Sequence, residues 1–230
     1  MSCAVCRTMW AAALLGSLVL AGCHGGEKKG AGSVEIDQTS AKATLDTIAQ
    51  AFRARDGQAL VACLPPDYKD SLGPTFLAVM DMAAKADALK KTIRAKFGKD
   101  AAELFAQDSS AEVMVNNGLL PGTRQDGTID WDKVRMTEVG DTAAYEIGGK
   151  RESLRKIDGK WYMVLRDLSP QKAKAQGETK IKIAKAMAAA YADLDKQVAD
   201  GAVGKDDLQK ALQEAMNKAF ATSGRPGGAN

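Results

Sequence analysis

The N-terminal half of the chain carries hydrophobic side chains every three or four positions, which is the period of amphipathic helices. We expect a first helix to begin near Thr39 or Ser40, because either hydroxyl can cap exposed backbone N–H groups, and to end at Gly57. A short second helix covers 60–64. A long third helix runs over 74–97, and one or two further helical turns follow it.

Three two-residue turns divide the region that follows: Gly140-Asp141, Gly148-Gly149 and Asp158-Gly159. Each pair suits a tight hairpin that needs positive φ angles. The pattern therefore predicts four antiparallel strands joined in sequence order. A short edge strand is also expected earlier, at 113–115.

The turns fix a strand register, because directly opposite residues share a face of the sheet. One face is apolar, and we expect the helices to cover it: Val134, Met136, Ala143, Tyr145, Ile147, Leu154, Trp161, Met163 and Leu165. Glu152 is also placed on that face, between Tyr145 and Leu165. The other face is wetter and carries Arg135, Glu146, Arg151, Arg155 and Arg166, with Tyr162 and Val164.

Two more helices are expected after the sheet. Hydrophobic positions align over 176–199, a glycine-containing turn follows, and Asp206 can cap a last helix. Residues 176–221 should therefore form a helical hairpin. Residues 222–230 contain three glycines and a proline, and they are expected to be a disordered tail.

Composition and charge narrow the function classes. The formal net charge of +3 is too small to indicate nucleic-acid binding. No spacing of cysteine, histidine or serine is typical of a metal centre, a nucleophile or a phosphate-binding loop. Asp126, Asp130 and Asp132 cluster in one loop but lack the ligand order of an EF-hand. We expect neither a metal nor a cofactor.

The N-terminus has the order of a secretory signal: an apolar run over 9–20 follows a short segment whose only charge is Arg7. The run is too short to span a bilayer. It ends in Leu20-Ala21-Gly22-Cys23, which resembles the bacterial lipobox at all four positions. The resemblance implies cleavage before Cys23, a diacylglycerol on its thiol, and a membrane anchor of fatty acyl chains such as palmitate.

Residues 1–22 would then be a lipoprotein signal peptide, and 23–37 a flexible tether, since glycines and charged residues fill it without an apolar period. The expected location is the bacterial cell envelope: the periplasmic side of the inner or outer membrane, or the cell surface. Cys3 and Cys6 would be removed with the signal peptide, and Cys23 would carry the lipid. Cys63 would then have no internal disulfide partner. Its apolar neighbours favour a buried thiol; a reactive thiol or an intermolecular disulfide is the alternative.

Helices followed by a meander whose last turn spans 157–162 (Ile-Asp-Gly-Lys-Trp-Tyr) resemble the NTF2-like (cystatin-like α+β) superfamily. The Asp56-Gly57 step is similar to a step between the family's first helices, in inverted order. The resemblance implies an α+β domain over 38–168, with N-terminal helices packed on a curved antiparallel β-meander and the C-terminal helical hairpin outside it. It also implies a cone whose apolar concave face often holds a small ligand.

Three functions stay open. The favoured one is a non-catalytic module that binds a small apolar ligand or docks a partner, with pocket candidates Tyr145, Glu152, Leu154, Trp161 and Met163. The second is an NTF2-like enzyme of the isomerase or hydrolase type. In it Glu152, stripped of water on the apolar face, acts as general acid or base, and Tyr145 either orients it or donates a hydrogen bond to a developing oxyanion. The third is a purely structural envelope lipoprotein.

The wetter sheet face supplies the candidates for partner binding: Arg135, Arg151, Arg155, Arg166 and Tyr162. A single carboxylate, Glu146, cannot neutralise four guanidinium groups. We therefore expect one of two arrangements. In the favoured one the C-terminal hairpin folds back over this face and offers it Asp193, Asp195 or Glu214. In the other the face stays open and docks an acidic partner around Tyr162.

Cys23→Ala should abolish lipidation and release the protein from the membrane fraction, because the acyl chains are the only apolar element expected to be long enough to hold it there. Metabolic labelling with a radioactive fatty acid, followed by fractionation, measures both effects. A wild-type protein that takes up no label would contradict the expected location.

Overall fold

The computed structural model describes residues 33–108, 129–147, 150–165 and 168–222. Within these ranges the chain forms six α-helices and one four-stranded antiparallel sheet. Four helices precede the strands along the chain and two follow them, which confirms the predicted α+β class. The expected signal peptide, most of the tether, the edge strand at 113–115 and the tail after Thr222 lie outside the described residues.

Side-chain caps delimit the first two helices. Helix α1 spans Ala41–Ala54, and the Ser40 hydroxyl accepts a hydrogen bond from the Ala43 N–H at 3.1 Å, as predicted. Helix α2 spans Gly57–Ala62, and the Asp56 carboxylate accepts one from the Ala59 N–H at 3.0 Å. Gly57 was expected to end α1 but instead begins α2, because Asp56 is a strong N-cap.

A long helix follows a single 3₁₀ turn at Pro66–Tyr68. Helix α3 spans Lys69–Phe97, so it begins before Pro74, the predicted start. Pro74 lies exposed in an early turn. The helix ends at Gly98, as predicted, where φ is +92°. Helix α4, Lys99–Asp108, follows directly.

The sheet has the order β1-β2-β3-β4, with strands Arg135–Val139, Thr142–Ile147, Lys150–Ile157 and Lys160–Met163. The predicted register is confirmed across all four strands: Glu146 lies opposite Arg135 and Arg151, and Leu154 lies opposite Ala143 and Met163. Extended further, the same register would pair Glu152 with Leu165 and Arg151 with Arg166. Strand β4 ends at Met163, before that point, and Arg166 lies outside the described residues.

The outer edge of β4 is covered by two segments of the same chain. The Trp161 N–H donates to the Gln38 carbonyl at 3.1 Å, and the Gln38 side-chain amide returns a bond to the Trp161 carbonyl at 2.7 Å. The Met163 N–H donates to the Cys63 carbonyl at 3.0 Å. Gln38 is thus hydrogen-bonded to β4, although 23–37 was expected to be flexible up to this point.

The C-terminal hairpin is present as predicted. Helix α5 spans Pro170–Ala199 and helix α6 spans Leu208–Thr222. Helix α5 begins earlier than the predicted Gln176, because Ser169 caps it and Pro170 takes the first helical position, where its missing N–H costs nothing.

The buried hydrophobic residues form two clusters, and α3 belongs to both. The sheet cluster joins α1, α2 and the apolar face of the sheet to Phe76 and Met80 of α3. The helical cluster joins α4, α5 and α6 to Met82, Leu89 and Ile93 of the same helix. Helix α3 is therefore the element that connects the two halves of the core.

Helices α3 and α5 begin at the same end and pack side by side. The Tyr68 hydroxyl, just before α3, donates to the carbonyl of Leu168, just before α5. A Cβ atom added to Gly177 of α5 would lie only 2.5 Å from the Thr75 Oγ1 of α3. The hairpin thus docks on α3, whereas we had favoured its docking on the wetter face of the sheet. Among the described residues, no helix is long and apolar enough to cross a membrane.

Candidate functional site

The apolar face of the sheet is part of the core. Tyr145, Leu154, Trp161 and Met163 are all buried in the sheet cluster, and Trp161 keeps only 1% of its surface exposed. Side chains of α1, α2 and α3 pack onto them, including Leu45, Ile48, Leu60 and Met80. The structure therefore brings these pocket candidates together, but as mutually packed core residues.

Tyr145 and Glu152 are direct cross-strand neighbours on that face. Tyr145 is buried and Glu152 is half-buried. Burial, and after it the negative charge of Glu152, raises the pKa of the Tyr145 hydroxyl. Tyr145 is therefore neutral throughout the physiological range. It can donate a hydrogen bond, but it cannot act as a base there.

Cys63 is fully buried beside α2 and has a free thiol. Burial raises the pKa of this thiol to about 12, and the charge of Lys69 only partly opposes the effect. A thiol of this kind carries almost no thiolate at neutral pH, so it is a poor nucleophile. The prediction of a buried thiol is confirmed.

The opposite face of the sheet is the charged one, and we call it the arginine face: Arg135, Thr137, Val139, Thr142, Ala144, Glu146, Arg151, Ser153, Arg155, Ile157, Lys160 and Tyr162. Its three described arginines are exposed. The register puts Glu146 between Arg135 and Arg151, yet none of the three arginines makes an ion pair within the described part of the chain. The arginine face therefore presents unneutralised positive charge to solvent.

Tyr162 does not provide the accessible apolar centre that we expected on this face. It is only 7% exposed, and the Lys69 ammonium lies 5.9 Å from the centre of its ring. Lys69 begins α3, so the start of that helix shields the β4 end of the arginine face. An exposed tyrosine would have required β4 to lie clear of α3.

Val139 is the accessible apolar residue of the arginine face, and our sequence analysis did not single it out. It is 74% exposed at the end of β1, next to the Gly140-Asp141 turn. The strand alternation that placed Arg135 on this face also places Val139 there. This alternation is the sequence signal that identifies Val139.

Two acidic side chains near the sheet, Asp130 and Asp46, have structural partners. Asp130 forms an ion pair with Lys133 at 3.1 Å, and Asp46 accepts a hydrogen bond from the Trp131 indole N–H at 2.9 Å. Across the described ranges, no three histidine, cysteine or acidic side chains converge in a way that could hold a metal ion. Asp126 lies outside those ranges.

Comparison of the chain with family models, with curated proteins and with solved structures found no match.

Stability should fall at alkaline pH, and Tyr145 should carry part of that fall. Its folded-state pKa is raised above the ordinary 10.0, so the stability that it contributes is complete below pH 10 and is lost as the pH rises further. Above that point Tyr145→Phe should flatten the decline by about 1.4 kcal/mol per pH unit. Urea unfolding at pH values from 8 to ~11.5 measures the slope. Equal slopes for the two proteins would contradict the assignment.

Proposed function

We propose that this chain is a lipid-anchored module of the bacterial cell envelope that docks an acidic protein partner on its arginine face. The observation that carries the proposal is the exposure of Arg135, Arg151 and Arg155 on one face without ion pairs in the described structure. Guanidinium groups bind carboxylates in a bidentate geometry, and arginine is enriched in protein interfaces. An acidic surface is the partner that this face fits.

The composition of the arginine face also supports docking of a macromolecule. Three small side chains form one cross-strand row on β1, β2 and β3: Thr137, Ala144 and Ser153. This row lies between the row that contains Arg135 and Arg151 and the row that contains Arg155. Val139 adds an exposed apolar contact at one end. This row of small side chains, with Val139 at one end and arginines on either side, is suited to a partner surface that has an acidic border.

A small-ligand module is less well supported, since the face proposed to hold the ligand is filled by core side chains. Trp161 and Leu154 are almost completely enclosed. A ligand would have to displace residues that hold the helices to the sheet. We retain the NTF2-like classification as a proposal for the domain over 38–168; its support is the helices-then-meander order and the Asp158-Gly159 turn before the last strand.

The lipid anchor would define where docking takes place. A fully extended chain from Cys23 to Val34, the first residue bonded to the fold, spans at most about 40 Å. The partner would therefore be a membrane protein or an envelope protein close to the same bilayer. Confinement near that bilayer raises the effective concentration of both proteins.

Catalysis by Glu152 is a second candidate, and the cross-strand pairing of Glu152 with Tyr145 on the apolar face is the observation that favours it. On one face of a sheet, a half-buried carboxyl and a neutral tyrosine hydroxyl supply the two groups that acid–base catalysis needs. Docking ranks first because it uses residues that are already accessible.

A photoreactive amino acid at Thr142 should cross-link an envelope protein in living cells, because Thr142 is exposed and lies opposite Arg155. Arg151→Glu should reduce the adduct about tenfold, since it puts a like charge against the acidic partner. Raising the ionic strength should weaken the adduct as well. Western blotting with an epitope tag measures the yield.

Arg94→Glu is the matched control: Arg94 is also exposed, but it lies on α3, and its reversal should leave the yield unchanged. If Thr142 gives no adduct, or if both reversals act equally, the arginine face is not a docking surface.

A further inference from the structure

A groove runs between the two helices of the C-terminal hairpin. Its volume is about 580 Å³, and its walls are formed largely by small side chains, including Ala186 and Ala190 of α5 and Ala211 of α6. Glu214 and Lys218 line the α6 side. The groove follows about three turns of each helix, from Ala186 to Gln197 along α5, so it has the length of a helix contact.

A stripe of α6 beside this groove, from the half-buried Ala211 to the exposed Ala221, has a self-complementary order. Ala211, Glu214, Lys218 and Ala221 follow one another at spacings of three, four and three residues, symmetrically about Met216. Residues at these spacings lie on one side of a helix. When two copies of such a stripe run antiparallel, each alanine faces an alanine, and each Glu214 faces Lys218 of the second copy.

Glu214 and Lys218 are available for such contacts. Both are exposed, and neither makes an ion pair within the described part of the chain, although they are four residues apart on the same helix. The alanines allow two helix backbones to approach closely. The charges supply the complementarity that chooses an antiparallel partner over a parallel one, in which like charges would meet.

We infer that the occupant of this groove is α6 of a second copy of the same chain. The two copies form a twofold-symmetric dimer, with α6 against α6 in antiparallel orientation. Two reciprocal Glu214–Lys218 pairs flank the symmetry axis. This inference does not use the arginine face, which lies on the sheet.

Charge exchange tests the inference with the full chain. Two differently tagged copies are produced in the same cells, and the fraction of one that is isolated with the other is measured. Wild-type copies should associate. With Glu214→Lys in both copies, association should fall about tenfold, because every cross-copy pair becomes lysine against lysine. Lys218→Glu in both copies should have the same effect.

One copy with Glu214→Lys and the other with Lys218→Glu should restore association, since each lysine of the first copy then faces a glutamate of the second. Glu178→Lys is the matched control: with Lys182 it forms an exposed pair of the same order and spacing on α5, outside the groove lining, and it should have no effect.

Cysteines test the orientation independently. Ala211→Cys in one tagged copy should cross-link to Ala221→Cys in the other under mild oxidation, at a yield several times that of two copies carrying only Ala211→Cys. Wild-type copies that neither associate nor cross-link would overturn the inference. Association that is unchanged by Glu214→Lys in both copies would also overturn the inference. So would a failure of the mixed pair to restore association; either result would place another partner in the groove.

Discussion

The close contact between α3 and α5 is the constraint on which the rest of the structure depends. Gly177 has no side chain, so α5 can lie directly on Thr75 of α3. The two helices then bury a shared set of apolar side chains, among them Leu89 and Ile93 of α3 with Met187 and Tyr191 of α5. Helix α3 also supplies Phe76 and Met80 to the sheet cluster. Helix α3 therefore packs against both the hairpin and the sheet, and it connects the two clusters.

The same contact determines which surfaces remain for binding. Because the hairpin packs on α3, it does not neutralise the arginines of the sheet, and Arg135, Arg151 and Arg155 stay exposed. The outer side of the hairpin also stays open, which leaves the groove between α5 and α6. The proposed docking face and the inferred dimer contact are thus both consequences of where the hairpin is anchored.

Local chemistry made much of the sheet predictable from the sequence. The turns at Gly140 and Asp158-Gly159 adopt the positive φ angles that those residues favour, and they fix the register that separates Trp161 from the arginines. Packing between distant segments was not predictable. The fit of Gly177 on Thr75 and the shielding of Tyr162 by Lys69 each depend on residues far apart in sequence. The hydrophobic periodicity of a single element cannot predict such contacts.

A double-mutant cycle at this contact tests the account most directly. Gly177→Ala should destabilise the protein by about 1–2 kcal/mol, because overpacking against Thr75 outweighs the better helix propensity of alanine. In a Thr75→Ala background the same change should be neutral or stabilising, whereas Gly73→Ala, whose Cβ meets only Val61, should respond equally in both backgrounds. The free energy of unfolding should be read from tryptophan fluorescence, since Trp131 and Trp161 report from the sheet cluster. A Gly177→Ala effect that is identical in both backgrounds, or that leaves the tryptophan transition unmoved, would contradict the claim that this contact couples the two halves of the core.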